Sequence, residues 1–324
     1  LLFLSLWIVV PAPTIWLLPL GVGAPEVSPM LFGASALVLL LTLRRLGRRK
    51  LAALMALAAA ALSSMPYSNL AQTERAFDRE LARVFPPQSR RAAAPPDARP
   101  GPFAPRDLFL GIETGEVRIV RAVKFAAPDG LPLVLDIYRP VGEGPFPVLV
   151  QVHGGAWQRG SRSDNETFAR YFASHGYVVF AIEYRHAPRF PWPAALEDTR
   201  AALTWIEAQC VTFGGDPARI AVIGRSAGAH LAMLAAYSGH ARVAAVVNYY
   251  GPADLAKGWH EPPQPDPIGV RGVLEAFLGG TPEERPLVYR EASPITYVSG
   301  AAPPTLHVYG RRDHAVLPVF GRDL

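Results

Sequence analysis

Between Glu116 and the last residue, short runs of β-type residues alternate with stretches of helical character. This alternation limits the fold more than any other feature. The strand candidates are 117–125, 133–138, 146–152, 178–184, 220–223, 244–249 and 305–309. The helical stretches are 165–175, 193–209, 227–237 and 272–278. The last five strand candidates are mostly apolar throughout, as strands buried on both faces of a parallel sheet are. The first two lie close enough in sequence to pair as a hairpin. The expectation is an α/β chain with a doubly wound, mostly parallel sheet.

The first third reads differently. Residues 1–23, 27–43 and 51–67 carry no charged side chain, and Arg44, Arg45, Arg48, Arg49 and Lys50 sit between the second and third runs. About 20 apolar residues span a bilayer core, so 1–67 is expected to form two or three transmembrane helices. A secretory signal would have a single apolar stretch; repeated stretches favour retained spans. Residues 68–85 read as an amphipathic helix. Seven prolines within 86–106 mark a semi-extended linker, so 68–106 separates the membrane segment from an α/β domain over 107–324. Residues 1–106 hold 12 Lys/Arg against 5 Asp/Glu, and 107–324 hold 20 against 22. A nucleic-acid-binding domain would put its basic excess on the folded surface, so no nucleic-acid partner is expected. The positive-inside rule keeps the 44–50 loop cytoplasmic, and with three spans the C-terminal domain lies on the outer face. The single cysteine, Cys210, excludes an intrachain disulfide and a multi-cysteine metal site.

The chemistry is concentrated in two glycine-bearing turns. Gly224-Arg225-Ser226-Ala227-Gly228 follows the strand 220–223 and opens the helix 227–237. A strand that turns sharply into a helix needs small residues two before and two after the turn. It then lifts the serine hydroxyl above the sheet, at a helix N-terminus that favours negative charge. Ser226 is the candidate nucleophile. His153-Gly154-Gly155-Ala156-Trp157 follows the strand 146–152. Glycines there let backbone N–H groups approach a substrate oxygen, and Gly154, Gly155 and Ala227 are the candidate oxyanion donors. His153 is expected to orient the loop rather than act as a base. Trp157 is open between lining a pocket and packing. No G-x-G-x-x-G follows the first strand of the sheet, which argues against a dinucleotide enzyme.

Residues from about 130 to 318 resemble the esterase/lipase branch of the α/β-hydrolases, including the hormone-sensitive-lipase-like esterases. Besides the two turns, the similar segments are Glu183-Tyr184-Arg185-His186-Ala187-Pro188, Phe190-Pro191-Trp192-Pro193-Ala194-Ala195-Leu196-Glu197-Asp198, Gly214-Gly215-Asp216-Pro217 and Tyr250-Gly251-Pro252. The resemblance implies an ester hydrolase working through an acyl-enzyme, with no metal and no cofactor. It places the triad acid at Asp313, in Gly310-Arg311-Arg312-Asp313. The family's histidine lies some tens of residues after that acid, whereas only 11 residues follow Asp313 and all eight histidines lie at or before His314. His314, next to the acid, is poorly placed to reach both partners. The catalytic histidine is therefore expected beyond Leu324. Two departures are Ala156, where the family's common sequence has a third glycine, and Arg225, where many relatives carry an acid. Gly228-Ala229-His230-Leu231 is also similar to kynurenine formamidases, which leaves an amide-cleaving alternative. A non-catalytic, membrane-tethered binding protein is the third reading. The expected partners are a small acyl ester and, through the N-terminal segment, a lipid bilayer.

Overall fold

A computed structural model describes residues 1–43, 46–85, 104, 106–239 and 242–324. The chain divides into two compact units, Leu1–Phe109 and Leu110–Leu324. The proline-rich linker, apart from Ala104 and Arg106, and Arg44 and Arg45 lie outside the described residues.

The first unit is helical: α1 (Leu2–Leu6), α2 (Leu18–Glu26), α3 (Ser28–Leu43), α4 (Leu46–Ser68) and α5 (Leu70–Val84), with a single turn α6 (Asp107–Leu110) at its end. The uncharged run 1–23, read as one span, is divided. Pro11 and Pro13 fall between α1 and α2, where a helix would lack N–H donors and clash with preceding carbonyls. Helices α2 and α3 are bent by 73° at their junction. Arg48, Arg49 and Lys50 lie inside α4 rather than in a loop, with a kink at Arg49 (φ −132°). Helix α4 packs on α3 and α1.

In the second unit a seven-stranded sheet runs in the order β1-β2-β4-β3-β5-β6-β7. Strands β1 (Val117–Ala126) and β2 (Leu133–Pro140) form the antiparallel hairpin, and β2 is also antiparallel to β4 (Val178–Ile182). Strands β3 (Phe146–Val152), β4, β5 (Gly215–Arg225), β6 (Ala245–Tyr249) and β7 (Thr305–Val308) are mutually parallel. The period of two sorts each strand between two cores. Val148, Val150, Val152, Phe180 and Ile182 join a large core with residues of α8 (Ala194–Gln209) and α9 (Ala227–Tyr237). Leu149, Val179 and Ala181 face the opposite side with Ala169 and Ala173 of α7 (Glu166–Ser174). Helices thus cover both faces, as a doubly wound sheet requires. Residues 227–236 of α9 are all buried, the mark of a helix enclosed on every side.

Strand β5 begins at Gly215, five residues before the expected start, because Gly215 pairs with Phe146 across an irregular step. Strand β4 stops at Ile182 rather than Tyr184, which releases Glu183–His186 above the sheet end. Helix α11 (Val270–Leu278) starts two residues early. Besides α6, three short helices have no counterpart in the sequence reading: α10 (Leu255–His260), α12 (Pro286–Glu291) and α13 (Phe320–Asp323). None is long enough to show a helical period.

Candidate active site

Ser226 stands between β5 and α9 with φ 53° and ψ −123°. A non-glycine residue there carries about 1–3 kcal/mol of strain, held only because the surroundings over-determine it. The Ser226 N–H donates to Tyr249 O on β6 at 2.9 Å, and the Ser226 carbonyl accepts the His230 N–H at 3.0 Å. The flanking glycines have steric reasons. A Cβ on Gly224 would collide with Gly228 O and Ala229 N, and one on Gly228 with the carbonyls of Val152 and His153. The elbow thus rests directly on the end of β3.

The glycine loop closes from the other side. A Cβ on Gly154 would lie 2.8 Å from Arg225 O and 3.5 Å from the Ser226 Cβ. Gly155 has φ 119°, and Ala156 and Trp157 follow at 55° and 58°. Ala156 thus occupies a conformation that suits glycine better. Among the described residues, no protein acceptor takes the N–H of Gly154, Gly155 or Ala227. These three N–H groups are thus left unpaired, and Gly154 packs directly against the Ser226 turn. Gly154→Ala is expected to push the loop off the elbow. It should lower kcat about 10²-fold, the scale of one lost donor, with KM changed much less; steady-state kinetics on an ester checks it.

One apolar pocket opens at Ser226. Trp157, Pro252, Leu274, Val316 and Phe320 help to line it. Pro263 and Ile268 bring the proline-rich segment 262–267 and its neighbour to this pocket. Trp157 both lines and packs. It is 4% exposed, stacks on Phe277 at 4.3 Å, and donates Nε1–H to His230 Nδ1 at 3.2 Å.

His230 is fully enclosed, and its Nε2 lies 2.7 Å from the Ala292 carbonyl. It accepts at Nδ1, so it donates at Nε2 and is neutral. Burial pushes its imidazole down to about 4, against a smaller upward pull from the Ala292 carbonyl. An unfolded histidine titrates near 6.5. With the folded value depressed, this stability is complete above pH about 6.5 and is lost as pH falls towards about 4, a total of about 3 kcal/mol. Burial also holds His186 and His307 low, which adds in the same direction. Urea unfolding at pH 7 and pH 4.5 should show a steeper acid loss in the parent than in His230→Leu.

Asp313 follows β7, half-buried, with Oδ1 accepting the N–H groups of Ala315 (2.8 Å) and Val316 (3.0 Å). No hydrogen bond joins a histidine to Ser226 or to the Asp313 carboxylate among the described residues. Instead, His307 Nδ1 pairs with Asn248 Nδ2 at 3.0 Å, and His153 Nδ1 lies 2.8 Å from Gly154 O. Arg225 turns away to the scaffold: it bonds Asn165 Oδ1 and lies over the rings of Phe168 (5.1 Å) and Tyr249 (5.8 Å).

Sequence reasoning missed Asn248. Its side chain is buried, accepts the Gly251 N–H at 2.7 Å and donates to Tyr309 Oη at 3.0 Å. Tyr309 in turn donates to Gly251 O. This network fixes the turn between β6 and α10, beside the pocket. The only signal was an amide in an otherwise apolar strand.

The sheet order, the strained serine between strand and helix, and the glycine loop against it define an α/β-hydrolase. The chain belongs to the BD-FAE family, which residues 135–324 match. It is 32% identical over 288 residues to LipM of Mycobacterium tuberculosis ("probable carboxylic ester hydrolase"), covering 79% of this chain and 64% of LipM. It is 35% identical over 208 residues to esterase LipQ of the same organism, covering 58% of this chain and 48% of LipQ. The chain thus spans about half to two-thirds of the length of these relatives. Among solved structures, a hyperthermophilic esterase from Pyrobaculum calidifontis superposes with a TM-score of 0.54 at 25% identity, covering 65% of this chain and 70% of the esterase.

Proposed function

We propose that this protein is a serine hydrolase that cleaves carboxylic esters through an acyl-enzyme. The observation that carries the reading is the strained Ser226 lining an apolar pocket, with Gly154 packed against it and the N–H groups of Gly154, Gly155 and Ala227 unpaired. The Ser226 Oγ adds to the ester carbonyl carbon, and the carbonyl oxygen becomes an oxyanion held by those donors. Collapse expels the alcohol and leaves the acyl group on Ser226, and water then releases the acid. The base that takes the serine proton is a histidine oriented by the Asp313 carboxylate. Its imidazolium is stabilised by the carboxylate. No metal or organic cofactor takes part in these steps. The relatives' names, esterase and carboxylic ester hydrolase, support this reaction class.

The amide-cleaving alternative rested on Gly228–Leu231. These residues are buried in α9, and His230 is bonded to Trp157 and Ala292, which gives the segment a packing role. The full-length protein should turn over p-nitrophenyl butyrate in preference to N-formyl aromatic amides. The opposite preference would favour the amide reading, and turnover of neither would favour the binding-protein reading.

We also infer that the first unit anchors the protein in a membrane. By length and composition the helical stretch Arg49–Arg83, most of α4 and α5 together, qualifies as a span, and the bent pair α2–α3 qualifies together as a second. The unit also packs small residues inside, among them Ala53, Ala56, Ala59 and Ala60, and turns large apolar side chains outward. Ser5 and Ser63 are buried and share a hydrogen bond of 2.9 Å, and Ser28 and Ser35 are buried. Meanwhile Trp16 is 87% exposed, and Leu51, Leu54 and Leu37 are exposed. Water does not favour that arrangement, whereas lipid does. With the basic cluster 44–50 on the cytoplasmic side, one crossing by α4 puts the hydrolase unit on the outer face. Carbonate extraction should leave the protein in the membrane fraction. Protease added to intact cells from which any outer membrane has been removed should cut the hydrolase unit, and protection there would reverse the topology.

A further inference from the structure

Strands β3 and β4 are parallel neighbours, and both run past their last sheet residue at the same end of the sheet. His153 follows β3, and Glu183 and His186 follow β4. One nitrogen of each histidine and a carboxylate oxygen of Glu183 all lie within 4.8 Å of one another. The His153 side chain is 1% exposed, and its Nε2 is 3.3 Å from Glu183 Oε1 without a hydrogen bond between them. His186 Nε2 is also buried without a partner.

The tautomer sharpens this. His153 Nδ1 is 2.8 Å from the Gly154 carbonyl oxygen, so Nδ1 carries a proton and donates it. In the neutral ring Nε2 is then a bare lone pair, facing a carboxylate oxygen and a second unpartnered imidazole. Arg162 reaches Glu183 only at its other oxygen, Oε2, at 3.3 Å. A proton on His153 Nε2 would relieve one of these contacts and leave His186 unpaired. A cation with several coordination positions would serve all three. Zinc bonds of about 2.0–2.1 Å in a tetrahedron set donor atoms about 3.4 Å apart, close to the His153–Glu183 separation. Two imidazoles and one carboxylate also form a common set for zinc with one position open.

We propose that His153, Glu183 and His186 bind a divalent transition-metal ion of the zinc class. None of the three lines the pocket at Ser226. The ion therefore acts by holding the His153 ring, whose other nitrogen holds Gly154 and hence the glycine loop. Such a proton-directed hydrogen bond behind a metal-bound histidine is a usual way of fixing ring orientation.

The test uses the whole chain, purified in detergent without a histidine tag and stripped with a chelator. Calorimetric titration with zinc chloride should give one equivalent bound, with a rise in thermal midpoint. Glu183→Gln and His186→Leu, each first shown to melt cooperatively without metal, should weaken binding at least tenfold. Cobalt should give a visible absorption band in the parent that His186→Leu loses. Absence of zinc binding in the parent, or equal binding in parent and both variants, would overturn the site in favour of a protonated His153–Glu183 pair. No readout involves ester turnover, so the outcome is independent of the hydrolase assignment.

Discussion

Ser226→Gly is expected to abolish ester turnover and to stabilise the fold at the same time. The loss in kcat/KM should reach about 10⁴–10⁶-fold, because the covalent step has no other acceptor. Stability should rise by about 1 kcal/mol. Glycine adopts the φ of 53° seen at Ser226 without the strain of about 1–3 kcal/mol that a side chain carries there, partly offset by its greater entropy loss of about 0.5–1 kcal/mol. Ser226→Ala separates the two effects. It removes the nucleophile but keeps Cβ, so it should be as inactive as the glycine variant and melt close to the parent. Equal melting points for both variants would show that the elbow stores no strain.

Asp198→Ala should produce the largest loss of stability. Arg185 is 8% exposed and Asp198 2%. The guanidinium grips the carboxylate through Nε to Oδ2 at 2.9 Å and Nη2 to Oδ1 at 2.9 Å, and the Arg185 N–H adds a bond of 2.8 Å to Oδ2. Removing the carboxylate leaves a buried cation that only the exposed Asp129 and Glu197 can approach, at 3.2 and 3.6 Å. Breaking such a pair typically costs about 3–5 kcal/mol, whereas replacing both partners by apolar residues costs far less. Urea midpoints should therefore fall sharply for Asp198→Ala and recover in the double variant Arg185→Leu/Asp198→Leu.

That pair also shows what a sequence can and cannot convey. Arg185 and Asp198 stood out only through resemblance, since nothing local says that a residue after β4 grips one on α8. Local requirements were legible. Strand β3 and helix α9 were read to the residue. For α9 the reason is steric: backbone crowding at Gly224 and Gly228 forces small residues at fixed spacing around the serine. The start of β5 was not legible, because Gly215-Asp216-Pro217-Ala218-Arg219 has no apolar pattern and is held by pairing with Phe146. The first apolar run misled for a related reason: hydropathy registers length, while Pro11 and Pro13 decide where a helix can continue. Asn248 was missed, and His230 was read only within a formamidase-like string, because their partners, Tyr309, Trp157 and Ala292, are brought to them only by the assembled sheet. His153, Glu183 and His186 converge for the same reason, since β3 and β4 are neighbours although more than twenty residues apart.

The role of Ser226 is tested most directly by labelling the full-length protein with a fluorophosphonate and locating the adduct by peptide mass spectrometry. One adduct per chain on Ser226, absent from Ser226→Gly, is the expected result. A chain that stays unlabelled while it hydrolyses esters, or one labelled at another residue, would contradict it.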